Sequence, residues 1–173
     1  MKGIRDDMER VDEKKLTEAD LQLAIHHYRA CIQAFPIILT NIYFWYWESD
    51  AIYITADGYV QEFECKISHS DFLADAKKET KHVHMANGRG PSHFWYVCPP
   101  GIIPVDEVPE HAGLFYTHQP KPCPYSEETR PLTLQMIKKA PRIKSEPIRE
   151  NKWRELLSKA CVRYWDVRKR RDL

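Results

Sequence analysis

The sequence lacks any run of about 18 or more apolar residues, the minimum for a helix that crosses a membrane. Its first twenty residues are dense in charge and contain no apolar stretch like that of a secretory signal peptide. We therefore expect a soluble, cytoplasmic protein with no membrane partner.

Paired metal-ligand motifs are also missing. The five cysteines are widely spaced and include no Cys-x-x-Cys pair, so we expect reduced, mostly buried thiols rather than a redox centre. His82, His84 and His93 are the closest histidines, but no second segment supplies ligands at zinc spacing. The sequence disfavours structural zinc.

Charge of one sign is scarce overall, since the net charge is only +1. Residues 138–173, however, contain thirteen Lys and Arg against five Asp and Glu, a net charge of +8. A basic end suits a phosphate backbone as partner, although solvated cations on a surface helix are an equally good explanation. Length and apolar content fit one compact domain over residues 1–173, without internal repeats.

The first half of the chain predicts a helix followed by three strands. Thr17 is typical of a helix N-cap, apolar residues recur at helical spacing over residues 21–35, and Pro36 ends the run. Residues 37–55 are rich in β-branched and aromatic side chains, and Ala-Asp-Gly at 56–58 predicts a turn before a strand over residues 59–67.

The second half predicts a helix capped by Ser68 or Ser70, then a buried central strand at residues 93–98. The apolar stripe of that helix is predicted to be Phe72, Leu73, Ala76, Thr80 and Val83. A helical turn at residues 104–111, a strand at 114–116 and a Pro-rich loop at 118–131 should follow. Residues 149–171 predict a long amphipathic helix that packs through Trp153, Leu156, Leu157, Ala160, Cys161, Tyr164 and Trp165 and is basic on its outer side. The five tryptophans indicate core packing more than base stacking.

One set of residues has the chemistry that phosphodiester cleavage requires. Asp50 and Glu64 supply the hard oxygen ligands that Mg²⁺ prefers, and Lys66 supplies a cation to position the nucleophile or stabilise developing charge. On a strand, Glu64 and Lys66 lie on the same face about 6.5–7 Å apart. The backbone carbonyl of Cys65 is available as a neutral ligand.

Context singles out this Glu-x-Lys pair, because the same pattern occurs four times in the chain and only this copy falls in a predicted strand. A three-residue turn at 56–58 would place Asp50 opposite Glu64 on the neighbouring strand. A two-residue turn would place Asp50 opposite Cys65, on the other face, unless a bulge intervened. The site therefore predicts a three-residue turn or a bulge.

Alternating charges along a strand usually mark a solvated sheet face, which is the competing interpretation. Against it, three carboxylates on one face, from Asp50, Glu62 and Glu64, would repel one another unless a cation compensated them. That repulsion favours a metal site.

These motifs resemble the PD-(D/E)xK, restriction-endonuclease-like nuclease superfamily, especially its small bacterial and phage members. The resemblance lies in Trp-Glu-Ser-Asp-Ala at 47–51, Glu-Phe-Glu-Cys-Lys-Ile-Ser at 62–68, Ser-Asp-Phe-Leu-Ala-Asp at 70–75, Lys77 and the strand ending at 96–99, and spans residues 35–116. It implies an α/β fold with a restriction-endonuclease-like core, a central mixed sheet flanked by helices in the order helix, three antiparallel strands, helix, strand.

The resemblance also implies roles: Asp50 and Glu64 as Mg²⁺ ligands, with Mn²⁺ able to substitute, and Lys66 as the catalytic lysine. The helix after the third strand often lends a polar residue in this superfamily. The candidate accessory residues are Glu48, Glu62, Ser68, Asp71, Asp75, Lys77 and Lys81. Candidates for nucleic-acid binding are Lys77, Lys81, Arg168, Lys169 and Arg170. For Asp71 and Asp75, an ion pair with Lys78 is the structural alternative.

We therefore expect a metal-dependent nuclease acting on DNA rather than RNA, in repair, recombination or phage-related processing, and a homodimer if both strands are cut. The main alternative is a nuclease-fold protein that binds nucleic acid without turnover or serves as an accessory factor. A protein–protein adaptor with an aromatic surface is a third possibility.

Overall fold

The computed structural model describes residues 16–76, 79–120 and 131–171. They form an α/β structure with a six-stranded mixed sheet flanked by helices. The elements are α1 (Glu18–Ala30), β1 (Ile37–Tyr43), β2 (Glu48–Ile54), β3 (Val60–Cys65), α2 (His69–Ala76), α3 (Glu79–Ala86), β4 (His93–Cys98), a short 3₁₀ turn (Val105–Glu107), β5 (Ala112–His118), β6 (Thr133–Lys138) and α4 (Glu150–Arg171).

The strands lie in the sheet in their chain order. β1, β2 and β3 are antiparallel neighbours, β3, β4 and β5 run parallel, and β6 returns antiparallel to β5. The predicted element order is present, and β6 was not predicted. The predicted second helix is described as α2 and α3, and residues 77 and 78 between them lie outside the described residues. Residues 121–130, the middle of the predicted Pro-rich loop, lie outside the described residues.

The first helix begins where its cap predicts. Thr17 and Asp20 form a reciprocal capping box, which satisfies backbone N–H groups at the helix start. The predicted end at Phe35 is wrong, because α1 stops at Ala30. Phe35 has a φ of 58° and is 93% exposed. A residue with this left-handed backbone cannot continue a helix, and β1 begins two residues later, at Ile37.

The two faces of the sheet pack against different helices. On one face, Leu21 and Ile25 of α1 contact Phe63 and Trp95 in a buried cluster. On the other, the aromatic side chains of β4 pack with Phe72 of α2 and Met85 of α3. The predicted stripe of the second helix is therefore wrong at Leu73 and Val83, which are 46% and 56% exposed.

The β2–β3 turn has the predicted three-residue form. The Thr55 N–H donates to the Tyr59 carbonyl at 2.9 Å, and Gly58 adopts a φ of 79°. Ala51 pairs with Phe63, so the same register sets Asp50 beside Glu64. This confirms the register on which the predicted site depends, because a shift of one residue would send the two carboxylates to opposite faces.

The terminal helix has the predicted extent to within one residue but not the predicted packing. Leu156 is its only fully buried residue in the described chain, and Leu157, Tyr164 and Trp165 are 63%, 57% and 59% exposed. Residues 161–170 are exposed throughout. The prediction of core packing is therefore wrong for Trp165. None of the helices in the described ranges is long and apolar enough to cross a membrane.

Replacement of Gly58 by alanine tests the turn that sets the register. The nearest atom to a Cβ added at this position is Pro147 Cβ at 3.5 Å, which is an ordinary contact. The cost of the substitution therefore comes from the left-handed backbone. We expect the free energy of unfolding to fall by about 1–2 kcal/mol in urea denaturation. Asp57→Ala, an exposed position in the same turn, should change it by less than about 0.5 kcal/mol. Equal losses in both variants would contradict this account of the turn.

Candidate functional site

The charged side chains of β3 are buried. Glu62, Glu64 and Lys66 are 0%, 2% and 3% exposed. Glu62 and Glu64 are register partners of Phe94 and Tyr96 in β4, so they share the sheet face that α2 and α3 cover. The interpretation of this strand as a solvated charged face is therefore wrong. Buried charges are costly unless each is paired, and the pairs define the site.

The Glu64 carboxylate lies between two lysines. Lys66 Nζ donates to Glu64 Oε1 at 2.8 Å, and Lys81 Nζ donates to Glu64 Oε2 at 2.6 Å. Lys66 directly follows β3, whereas Lys81 comes from α3. The site therefore exists only when α3 packs against β3.

Lys81 also joins Glu64 to Glu62. Its Nζ lies 3.1 Å from Glu62 Oε1, and the same carboxylate accepts a hydrogen bond from Trp47 Nε1 at 2.9 Å. Burial alone would lower the pKa of Lys81, but the two carboxylates raise it above its ordinary value. Lys81 is therefore a charged, fully enclosed cation, with no open side for the phosphate contact that its sequence position suggested.

Two aspartates of α2 lie near Lys66. Its Nζ is 3.7 Å from Asp75 Oδ1 and 3.8 Å from Asp71 Oδ1, and Asp75 accepts a hydrogen bond from the Tyr96 hydroxyl at 3.0 Å. Burial acts to lower the pKa of Lys66, while Glu64, Asp75 and Asp71 raise it more strongly. Both aspartates thus face the site lysine. The alternative partner, Lys78, lies outside the described residues.

Asp50 completes the group from β2. Its Oδ2 accepts a hydrogen bond from the Cys65 N–H at 2.8 Å, which fixes the carboxylate at the end of β3. Burial, together with repulsion by Glu64, raises the pKa of Asp50 to about 7, against the opposing effect of that hydrogen bond. Burial is the larger cause of this shift, and the negative charge of Glu64 adds to it.

Glu18 of α1 is a neighbour of Asp50 that sequence reasoning missed. Its negative charge also raises the pKa of Asp50. Gln22 and Asn41 each donate to Glu18 Oε1 at 2.7 Å, and Gln22 donates to the Asp50 carbonyl at 3.0 Å. An acidic residue in the first turn is already explained by the helix dipole, so nothing in the sequence marked Glu18 as a site residue.

The remaining accessory candidates lie around the edge of this group or elsewhere. Ser68 caps α2, as predicted, by accepting from the Asp71 N–H at 3.2 Å. Glu48 is exposed at the start of β2. Lys77 lies outside the described residues. Arg168, Lys169 and Arg170 are exposed near the end of α4.

The four described cysteines divide evenly between core and surface, and the fifth, Cys123, lies outside the described residues. Cys65 and Cys98 are buried and Cys31 and Cys161 are exposed, and all four carry free thiols. The prediction of mostly buried thiols is therefore wrong for Cys31 and Cys161. The Cys65 side chain packs into the α1 face of the sheet, away from Glu64, and burial raises its thiol pKa well above the ordinary value. A catalytic thiolate is therefore not expected at Cys65.

The donor chemistry of the site fits a hard divalent cation. Asp50 and Glu64 offer carboxylate oxygens, and the Cys65 carbonyl is the adjacent backbone oxygen. Within residues 16–76, 79–120 and 131–171, no group of three or more His, Cys, Asp and Glu side chains is arranged to hold a metal ion. The predicted set contains only two such side chains.

The histidines considered for zinc are engaged separately. His82 contacts His111 at 3.1 Å, His84 stacks on Tyr46, and His93 contacts a neighbouring serine.

Replacement of Lys81 by methionine tests whether the buried pairs stabilise the fold. The change leaves Glu62 without its only lysine partner in the described network, and we expect a loss of about 3–5 kcal/mol in the free energy of unfolding. The double variant Glu62→Gln/Lys81→Met should recover at least about 1 kcal/mol, because a neutral amide is easier to bury.

The matched control is Lys152→Met, which removes a half-exposed lysine paired with Glu155 on α4 and should cost no more than about 1 kcal/mol. A double variant as unstable as Lys81→Met alone would show that the loss does not arise from an uncompensated charge on Glu62.

No model of a known protein family matches the chain, and no curated protein matches it. Among solved structures, the SPO1766 protein of unknown function from Silicibacter pomeroyi is similar to it, with a TM-score of 0.61 and 15% sequence identity. The likeness covers 88% of this chain and 92% of that chain. At this identity the likeness concerns the fold alone and assigns no activity.

Proposed function

We propose that this protein is a Mg²⁺-dependent nuclease, with a restriction-endonuclease-like core, that hydrolyses phosphodiester bonds in DNA. The observation that carries the proposal is the approach of two carboxylates from neighbouring strands. The Asp50 carboxylate is held at the end of β3 by the Cys65 N–H, and the negative charge of Glu64 adds to the effect of burial in raising the pKa of Asp50. A divalent cation bound by Asp50 and Glu64 would offset their mutual repulsion.

The residues that would hold the cation are Asp50, Glu64 and the Cys65 carbonyl. The bound metal would neutralise the scissile phosphate and lower the pKa of the attacking water, with Mn²⁺ able to replace Mg²⁺. Asp50 remains fixed at the end of β3 by its hydrogen bond from the Cys65 N–H. That bond uses Oδ2, and Oδ1 would be the oxygen that binds the metal.

The two lysines have different roles in this proposal. Lys66 is held to Glu64 and the two α2 aspartates, and its flexible stem would let the ammonium group turn from Glu64 Oε1 towards a bound phosphate. Lys81 stays on Glu64 Oε2, because Glu62 also binds the Lys81 ammonium group and is itself held by a hydrogen bond from Trp47. Lys66 is thus the catalytic cation and Lys81 a positioning residue for Glu64.

A second candidate function is nucleic-acid binding without turnover. The observation in its favour is that both oxygens of Glu64 already accept hydrogen bonds from lysines, an arrangement that satisfies the carboxylate without a metal. The two functions differ in whether Glu64 exchanges a lysine for a cation. A cleavage assay separates them.

Plasmid DNA and single-stranded DNA, incubated with Mg²⁺ or Mn²⁺, test the proposed activity directly. We expect cleavage that EDTA abolishes and that Asp50→Asn, Glu64→Gln or Lys66→Met each reduces by about 100-fold or more, because each group acts at the reacting phosphate. Asp57→Asn and Glu110→Gln, at exposed acidic positions outside the site, are matched controls that should retain full activity.

Cleavage that persists both in EDTA and in the Glu64→Gln variant would overturn the proposed mechanism. Salt-sensitive DNA binding with no cleavage under any metal would favour the second candidate function.

The pH dependence of stability tests the electrostatics of Asp50. Because its pKa rises from the ordinary 3.8 to about 7 in the folded protein, the folded state binds this proton more tightly than the unfolded chain does. The contribution of Asp50 to the free energy of unfolding should therefore fall as the pH rises from about 4 to about 7. Asp50→Asn removes this penalty and should be more stable than the wild type by about 2 kcal/mol at pH 8, with almost no difference near pH 4.

Divalent cations should stabilise the wild type more than Asp50→Asn. At pH 8, Mn²⁺ should raise the melting temperature of the wild type, because it binds the folded state alone, and should have little effect on Asp50→Asn. Differential scanning fluorimetry with and without Mn²⁺ measures both. Equal stabilisation of the two proteins would contradict a metal site at Asp50.

A further inference from the structure

The outer half of α4 exposes an unusual amount of aromatic and apolar surface. Every residue from 161 to 170 is exposed. Tyr164 and Trp165 are 57% and 59% exposed, and Val162 and Val167 are 57% and 51% exposed. Large apolar side chains grouped on a surface in this way mark a binding site more often than scattered ones do.

The helix turns its aromatic side away from the body. Leu156 is buried, Lys159 Nζ donates to the Tyr43 carbonyl at 2.5 Å, and Arg163 donates to the Asn41 carbonyl. These three residues mark the side of α4 that contacts the sheet edge. At about 100° per residue, Trp165 projects from the side of α4 roughly opposite these contacts, and Tyr164 lies about 100° away from it around the helix, on the flank.

Cations accompany the two rings. The rings form an edge-to-face pair with centroids 5.4 Å apart. Arg168 and Lys169 follow Tyr164 and Trp165 by four residues each, so they lie on the same side of the helix one turn later. Residues 161–171 contain five Arg and Lys against one acid, Asp166.

The cations and aromatic rings of this segment together favour one class of partner. A second copy of α4 would bring two strongly cationic segments together, and a purely apolar protein groove would have to desolvate the cations. A polyanion with exposed flat rings satisfies both features, since phosphates pair with Arg and Lys while unpaired bases stack on aromatic side chains. In a duplex the bases already stack on one another, so the rings favour a single strand.

We propose that residues 161–171 form an arm that binds single-stranded nucleic acid, with bases stacked on Tyr164 and Trp165 and phosphates on Arg168, Lys169 and Arg170. The inference rests on the proposed function and names the substrate class of that site, which is an unpaired strand or the unpaired end of a duplex.

The arm begins next to the candidate site. Arg163 is bonded to the Asn41 carbonyl, and the Asn41 side chain contacts both Glu18 and Gln22. Gln22 in turn donates to the Asp50 carbonyl at 3.0 Å. The start of the arm therefore contacts β1, the edge strand next to the β2 strand that carries Asp50.

Fluorescence anisotropy of a labelled oligothymidine, with the full-length protein in EDTA so that nothing is cut, tests the arm. We expect the Tyr164→Ala/Trp165→Ala variant to bind it about tenfold or more weakly, because each stacked base contributes substantially to affinity. The affinity for a blunt duplex of the same length should change less than about threefold, since paired bases do not stack on the rings. The intrinsic fluorescence of Trp165 should be quenched on binding by the wild type.

The matched control is Leu157→Ala/Val162→Ala, which removes exposed apolar side chains of the same helix without removing a ring and should bind single strands like the wild type. All the substituted residues are exposed, and circular dichroism melting checks that each variant folds. Arg168→Gln/Lys169→Gln/Arg170→Gln should weaken single-strand and duplex binding alike and reduce the salt dependence of both.

Equal losses for single strand and duplex in the aromatic variant, or undiminished binding, would overturn the stacking arm. So would sedimentation showing a wild-type dimer that the aromatic variant dissolves, because the surface would then bind a second copy. Cleavage does not enter this measurement. If the protein binds single strands as expected but cuts no DNA, the arm is supported and the proposed nuclease activity fails. If it cuts DNA but the aromatic variant binds like the wild type, the nuclease activity is supported and the arm fails.

Discussion

The buried Glu64 carboxylate, held between Lys66 and Lys81, is the constraint on which the rest of the site depends. Removing an ion from water costs several kcal/mol even after the protein relaxes, so the charge can stay in the interior only if each oxygen has a partner. One partner comes from the same strand and the other from α3. The helices that follow β3 are thereby tied to the sheet by charge as well as by apolar packing, and Glu62 extends the same network to Trp47.

The architecture separates structural from chemical tasks between the two faces of the sheet. α1 covers one face with ordinary apolar packing, while the other face combines an aromatic cluster with the ionised groups. The tight turn before β3 brings Asp50 beside this second face, at a position where it meets the negative charge of Glu64. The charge of Glu64 therefore adds to the effect of burial in raising the pKa of Asp50.

The lysines of the site and the cations of α4 differ in their exposure to solvent. Lys66 and Lys81 are enclosed and neutralise carboxylates, whereas the cations at the end of α4 face solvent beside two exposed aromatic rings. A net charge near zero therefore conceals two populations, one that supports a buried site and one suited to a polyanion. Their connection through Asn41 and Gln22 gives the surface helix a defined place relative to Asp50.

The local sequence was enough to predict the Thr17 cap, a cap for α2 at Ser68 or Ser70, and the strand that carries Glu64. It left open whether the β2–β3 turn has two or three residues, and the folded chain has the three-residue form that sets Asp50 beside Glu64. The fold also reveals which charges are buried, that Lys81 is the second cation on Glu64 and that Glu18 lies near Asp50. The difference lies in how far apart along the chain the interacting residues are. Caps and turns are satisfied within a few residues, whereas desolvation and ion pairing depend on segments distant in the chain, which no local periodicity encodes.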